Sequence, residues 1–177
     1  QLDLVAHDPK AARLVQALRA ILSKPVKKNE PIRKVVIFSE YVDTVKHLRP
    51  ILEKAFPDRV LSVEGLLTAT LSRQILHNFD ASVPTKKQEH DFDILLTSDK
   101  LSEGVNLNQA GAVINYDIPW NPTRVIQRVG RINRIGRKVF SELHIYNFFP
   151  TEQGADIVKS REIAAQKMFL IHHTLGE

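Results

Sequence analysis

The stretch Val125 to Arg137 reads Val-Ile-Gln-Arg-Val-Gly-Arg-Ile-Asn-Arg-Ile-Gly-Arg. Arg124, Gln127, Arg128, Arg131 and Arg134 recur there at intervals of three and four, so a helix would gather them on one ridge, while Val125, Val129 and Ile132 turn toward a core. Asn121 can cap such a helix and Pro122 suits its first turn. Gly130 removes a side chain at a point where something must approach the backbone closely.

Charge marks the same region. The chain carries 25 Lys plus Arg against 20 Asp plus Glu, a net of +5, yet no acid occurs from Ile118 to Ser141. That window holds Arg124, Arg128, Arg131, Arg134, Arg137 and Lys138, so outside it the balance is 19 against 20. The basicity is therefore a site and not a coating. Phosphate is the natural ligand, because the planar fork of arginine binds oxygen pairs in fixed geometry. The plainer alternative is a solvated amphipathic helix.

Working outward, apolar runs alternate with helical stripes. Asp8-Pro9 begins a helix whose stripe is Leu14, Val15, Leu18, Ile21 and Leu22, ending before Pro25. Strands are expected at Lys34 to Phe38, Val60 to Val63, Asp93 to Thr97, Ala112 to Tyr116 and Leu143 to Phe148. A helix from about Tyr41 has the stripe Val42, Val45, Leu48, Ile51 and Leu52, with Pro50 expected to kink or divide it. Leu71 to Phe79 reads as another helix, with Leu71, Ile75 and Phe79 inward. Ala81 to Asp91 reads as an exposed loop, and the tail from about Glu152 to Leu175 as helical. This order predicts an α/β fold, a parallel sheet with helices on both faces, and sites at the carboxyl ends of the strands: Ser39, Thr97 to Asp99 and Asp117 to Trp120.

Four blocks then carry a resemblance. Val35-Val36-Ile37-Phe38-Ser39-Glu40-Tyr41 is similar to motif IV of superfamily 2 helicases. Leu96 to Leu107 with Val113 to Pro122, followed by Gln127 to Gly136, resembles motifs V and VI. The blocks stand in the right order over roughly residues 30 to 150. Gln127, Asn106, Ile135-Gly136 and the Tyr-Asp-Ile-Pro-Trp-Asn-Pro lead-in resemble the Swi/Snf-type ATPases, particularly bacterial ones, more than the RNA-directed DEAD-box helicases. Ser102-Glu103-Gly104 departs from the Gly-rich run common in that branch.

The resemblance implies a three-layer RecA-like lobe at residues 31–150, preceded by a helix and linker (1–30) and followed by a helix (151–177). It implies Arg134 as an arginine finger toward a nucleotide's terminal phosphates, with Arg131 beside it and Gln127 orienting them. Arg128 stands with the nucleotide-binding residues, or pairs with an acid in either lobe. Glu103, Gly104 and Asn106 are implied near the nucleotide, Asn106 on its ribose side. Ser39 and Ser98 are implied as nucleic-acid phosphate contacts, though a strand-end hydroxyl can equally cap backbone. Lys86 and Lys87 are either a solvated loop or a duplex contact.

The phosphate-cradling loop and the acidic pair of such motors are missing: none of the seven glycines is followed by Lys and no Asp-Glu pair occurs. The resemblance assigns both to the first of two lobes, so ATP and Mg2+ are expected to be bound mainly there. The chain, which begins with Gln, is expected to be an excised second lobe, inactive alone. Its expected partners are that first lobe and nucleic acid, most simply double-stranded DNA. Strand separation on RNA or DNA, and a non-catalytic docking lobe, are the alternatives.

No apolar run approaches the ~20 residues of a membrane span, and a cytoplasmic, nucleoid-associated protein is expected. No metal site is expected, since His172 and His173, adjacent on a helix, point apart and lack a ligand cluster. Trp120 either stacks on a base or anchors its loop, the second being the simpler role.

Overall fold

The computed structural model describes residues 8–99, 105–119, 121–133 and 139–149. Five strands form one parallel sheet in the order β2-β3-β1-β4-β5: β1 (Lys34–Ser39), β2 (Val60–Val63), β3 (Ile94–Ser98), β4 (Ala110–Asn115) and β5 (His144–Asn147). The helices are α1 (Pro9–Ser23), α2 (Val42–Ala55), α3 (Ala69–Phe79) and α4 (Pro122–Ile132).

Side chains of β1 alternate between two cores. Val35 and Ile37 meet Leu14, Leu18, Val45, Leu48 and Leu52 of α1 and α2, while Val36 and Phe38 meet Ile75 and Phe79 of α3 and Ile132 of α4. A central strand buried on both faces must be apolar throughout, which is why β1 reads as a continuous run. The expected three-layer arrangement is present.

Some boundaries and details differ from the sequence reading. Helix α2 runs unbroken through Pro50. Pro50 is exposed, so the carbonyl that loses its amide partner can turn to water. Helix α3 starts two residues before Leu71, because the Thr68 hydroxyl accepts a hydrogen bond from the Leu71 N–H and caps it. The polar stretch after α3 contains a 3-10 turn, Thr85–Lys87, and is pinned back to α3. Asn78 is wholly buried and its Oδ1 accepts from the N–H groups of Asp91 and Phe92.

Gly111 in β4 answers a packing need. A Cβ there would lie 3.0 Å from Cγ of Arg33 and 3.2 Å from the ring of Phe140, so any larger residue would have to push those side chains aside. The expected helix 151–177, with His172 and His173, lies outside the described residues.

Candidate nucleotide and nucleic-acid interface

The carboxyl ends of the strands form a rim built from polar residues. Ser39 and Ser98 are register partners closing β1 and β3, and both are buried. The Ser39 hydroxyl donates to Asp117 Oδ2 at 2.5 Å and accepts from the Tyr41 N–H at 3.2 Å. Asp117 also receives Lys10 Nζ at 2.9 Å, and that ammonium lies 4.0 Å over the ring of Tyr116. Burial, reinforced by the carboxylates of Asp8 and Asp117, pushes the Tyr116 phenol pKa up. Asp8 caps α1 through the N–H groups of Lys10 and Ala11 and pairs with His47 at 3.0 Å. Burial alone would raise the Asp8 carboxyl, but the Ala11 N–H, the His47 ring and the Lys10 N–H outweigh it and the pKa ends lowered.

Helix α4 leaves this rim, capped by Asn121 Oδ1 on the Thr123 N–H. Val125, Val129 and Ile132 are buried as expected. The arginines do not share one circumstance. Arg128 is 0% exposed: its Nε donates to Asp99 Oδ1 at 2.6 Å, its Nη1 to Asn115 Oδ1 at 2.9 Å and to the Asp117 carbonyl at 3.2 Å. Its guanidinium also lies over the Phe38 ring, 5.3 Å from the centroid. Of the two roles implied for Arg128, its burial and its bond to Asp99 fit pairing with an acid. At about 100° per residue, Arg128 falls only about 40° from Ile132 and 60° from Val125, on the border of the apolar arc. The buried acid that completes it, Asp99, was expected on the rim but given no role.

Arg124 is half exposed and shares Asp99, at 3.3 Å, with a longer contact of 3.9 Å to Glu40. Gln127 is exposed and Arg131 half-buried, and no acid among the described residues pairs with Arg131. Beside Arg131, the space a Cβ would take at Gly130 holds nothing within 4 Å, so nothing inside the described chain requires this glycine. Arg134 lies outside the described residues, as do Trp120, Glu103 and Gly104.

The motif V stretch touches α4 at both ends. Asp99 holds Arg128 near the rim, and farther along the Leu107 N–H donates to the Arg131 carbonyl at 3.0 Å. Asn106, expected toward a ribose, instead donates from Nδ2 to Asp80 Oδ2 at 3.1 Å, at the end of α3. Of the two roles implied for Ser39, its hydroxyl fits the local one, bonded to Asp117 and the Tyr41 backbone. Lys86 and Lys87 are exposed, but their turn leads into the amino end of β3.

Residues 11–136 match the helicase conserved C-terminal domain. The chain belongs to that family. An 84-residue stretch, 48% of this chain, is 46% identical to the uncharacterized ATP-dependent helicase YqhH of Bacillus subtilis (strain 168). The human DNA repair and recombination protein RAD54B is 32% identical over 77% of the chain, and human chromodomain-helicase-DNA-binding protein 1 is 31% identical over 78%. The chain spans 14%, 14% and 8% of the lengths of these three relatives. They are superfamily 2 helicases, in keeping with a Swi/Snf-type C-terminal lobe. In fold the chain resembles the C-terminal part of the Fun30 ATPase domain, with TM-score 0.63, 18% identity, 98% of this chain covered and 57% of that one. Against S. cerevisiae Dbp5 bound to RNA and ADP BeF3 the TM-score is 0.61, with 21% identity and coverage of 92% and 36%. No helix among the described residues is long and apolar enough to cross a membrane.

Proposed function

We propose that this helicase C-terminal domain is the second motor lobe of an ATP-driven translocase on double-stranded DNA, working in the cytoplasm close to the nucleoid. The observation that carries this is the contrast along α4: Arg124 and Arg128 are paired with acids, whereas Arg131 has none among the described residues and stands beside the uncovered backbone of Gly130. A guanidinium with no acid beside it among the described residues fits an anion supplied from outside the lobe. ATP with Mg2+, held mainly by the first lobe of the parent protein, supplies that anion as its terminal phosphates.

In this reading Arg134 is the arginine finger and Arg131 its neighbour, stabilising charge on the equatorial oxygens in phosphoryl transfer. A positioned arginine there is worth on the order of 10³ to 10⁵ in rate. Gln127, exposed one turn before Arg131, orients the pair, and Glu103 and Gly104 complete the nucleotide side. Asn106 sets the end of motif V by its bond to Asp80. Arg128 serves by holding α4 to the rim. Ser98 meets a DNA phosphate, Ser39 acts through Asp117, and Lys86 and Lys87 meet more distant parts of the duplex.

The two ties between motif V and α4, at Asp99–Arg128 and Leu107–Arg131, make nucleotide-facing and DNA-facing residues parts of one body. A movement of Arg131 and Arg134 toward phosphate is thereby passed to the rim, and turnover comes to depend on DNA. The test is ATP turnover by the intact parent with and without duplex DNA, for the native protein and for Arg134→Ala, alongside DNA affinity and strand separation. Loss of DNA-stimulated turnover with binding retained and no strands separated is expected. Unchanged turnover in the variant would falsify the finger. The present chain alone is expected to show no turnover, and hydrolysis by it would overturn the division of the site between two lobes.

A further inference from the structure

The amino end of the sheet, away from the carboxyl rim, holds a charge that the fold leaves unanswered. Arg33, the residue before β1, is 8% exposed, and its Nε and Nη1 are shut off from solvent with no hydrogen-bond partner among the described residues. Its stem lies against Gly111 beside the ring of Phe140. The other two buried cations among the described residues are answered, Arg128 by Asp99 and Asn115 and Lys34 by the carbonyls of Asn78 and Glu89. A guanidinium does not escape the penalty of burial by losing its proton, so Arg33 calls for an anion.

The acids around this corner are already committed. Glu30 Oε1 accepts from the N–H and the hydroxyl of Ser141, at 2.8 and 2.7 Å, and Glu30 Oε2 accepts from the Lys27 N–H at 3.3 Å. Glu142 pairs with Lys27 Nζ at 2.9 Å. These bonds tie the loop before β1 to the residues that follow Phe140, and so bring Lys28 to the same corner. From Lys24 to Lys34 the chain holds five cations and one acid. Lys28 is exposed, and Ile32, next to Arg33, is 63% exposed.

We propose that this corner is a docking site for an acidic peptide partner, one of whose carboxylates meets Arg33 while a neighbouring apolar side chain lies on Ile32. A carboxylate matches the planar fork of the guanidinium and supplies the acceptors it lacks. The recess decides against a duplex. A carboxylate on a slender stem can enter it, whereas a duplex phosphate is carried on the outside of a stiff rod. Ile32 also offers contact area that a phosphate backbone does not use. The site stands apart from the proposed nucleotide and DNA surfaces, which gather at the other end of the strands.

The test titrates the 177-residue chain with the synthetic peptide Glu-Leu-Asp-Glu-Leu-Asp, with its uncharged counterpart Gln-Leu-Asn-Gln-Leu-Asn and with a short DNA duplex. Melting temperature and self-association are recorded alongside for the native chain, Arg33→Met, Arg33→Lys and Lys28→Gln. The native chain is expected to bind the acidic peptide and not the uncharged one. Arg33→Met should weaken that binding by about tenfold or more and melt at or above the native temperature, because it replaces an unpaired buried charge by an apolar chain of similar length. Arg33→Lys should weaken it too, since a point charge does not reproduce the fork, and Lys28→Gln should weaken it by about threefold or less. Equal binding of the uncharged peptide, or native binding of the acidic one by Arg33→Met, overturns the proposal. Arg33-dependent binding of the duplex but not the peptide replaces the partner by nucleic acid, and Arg33-dependent self-association replaces it by a second copy. Melting temperatures that fall in both Arg33 variants along with binding mark Arg33 as structural and overturn the site.

Discussion

Arg128 and Arg131 lie three residues apart on one helix, in a stretch whose sequence treats them alike, and the fold gives them opposite surroundings. Arg128 is wholly buried, faces Asp99 and Asn115 and lies over Phe38. Arg131 is half-buried and, among the described residues, meets no acid. A buried guanidinium must bring its counter-charge and acceptors with it or the fold does not close over it, whereas one left unpaired at a surface is available to an anion that arrives later. Spacing locates arginines on a helix; only the neighbouring strands decide which of them is structure and which is reach.

The largest effect that sharpens this contrast is catalytic. Arg131→Ala in the intact parent is expected to leave the lobe folded, with a melting temperature within a few degrees of native, while DNA-stimulated turnover falls by 10²-fold or more (order of magnitude from arginine removal in phosphoryl transfer). Arg128→Met should do the reverse. It removes from Asp99 the buried guanidinium at 2.6 Å and leaves that carboxylate with the half-exposed Arg124 at 3.3 Å, so chemical denaturation of the present chain is expected to show a loss of up to about 3 kcal/mol. Arg128→Met with Asp99→Asn should recover part of it, and a double variant no better than the single one would show that the pair is not coupled.

A second buried cation extends the comparison to the opposite rim. Lys34, 1% exposed at the start of β1, donates to the carbonyls of Asn78 at 2.6 Å and Glu89 at 3.2 Å. Burial, only partly offset by Asp93 and Asp91, pushes its pKa down to about 8 from 10.5. The unfolded chain keeps this proton to higher pH than the folded one, so stability should rise between about pH 8 and 10.5. Below pH 8 the penalty for burying the charge is present in full. The slope, amounting to up to about 3 kcal/mol across that window, should vanish in Lys34→Met when unfolding is followed as a function of pH. The smallest expected change is at Gly130. Alanine there meets no atom and favours the helix by about 0.5–1 kcal/mol. If the first lobe closes against this face, Gly130→Ala should melt slightly higher and yet turn over more slowly in the parent. Native turnover would show that the bare backbone serves no partner.

The layers, all five strands and the carboxyl rim could be read from the sequence, because apolar runs of four to six residues separated by helical stripes leave few other solutions. Val60–Val63 agrees end to end with its expected strand. What could not be read was pairing. Ser39 at a strand end has the same sequence signature whether its hydroxyl faces solvent or Asp117, and those residues are 78 positions apart. Asn106 and Asp80 are likewise brought together only by the return of the chain from β3 to β4. Arg128 sat on the boundary of two arcs, where periodicity has least to say. Pro50 does not divide α2, which runs on to Ala55, because the proline lies on the exposed side of the helix.

The first helix has a practical bearing. Ala11, Leu14, Leu18 and Ile21 of α1 lie in the same core cluster as Val35, Ile37 and Ile114 of the sheet, and Lys10 reaches the rim through Asp117. A boundary drawn just before β1, where the first strand of the sheet begins, would strip one face of its cover and leave a sticky apolar patch in solution. Anyone transplanting this lobe into another motor must therefore move the junction upstream of Asp8, so that the graft carries its own lid and the rim keeps the lysine that steadies it.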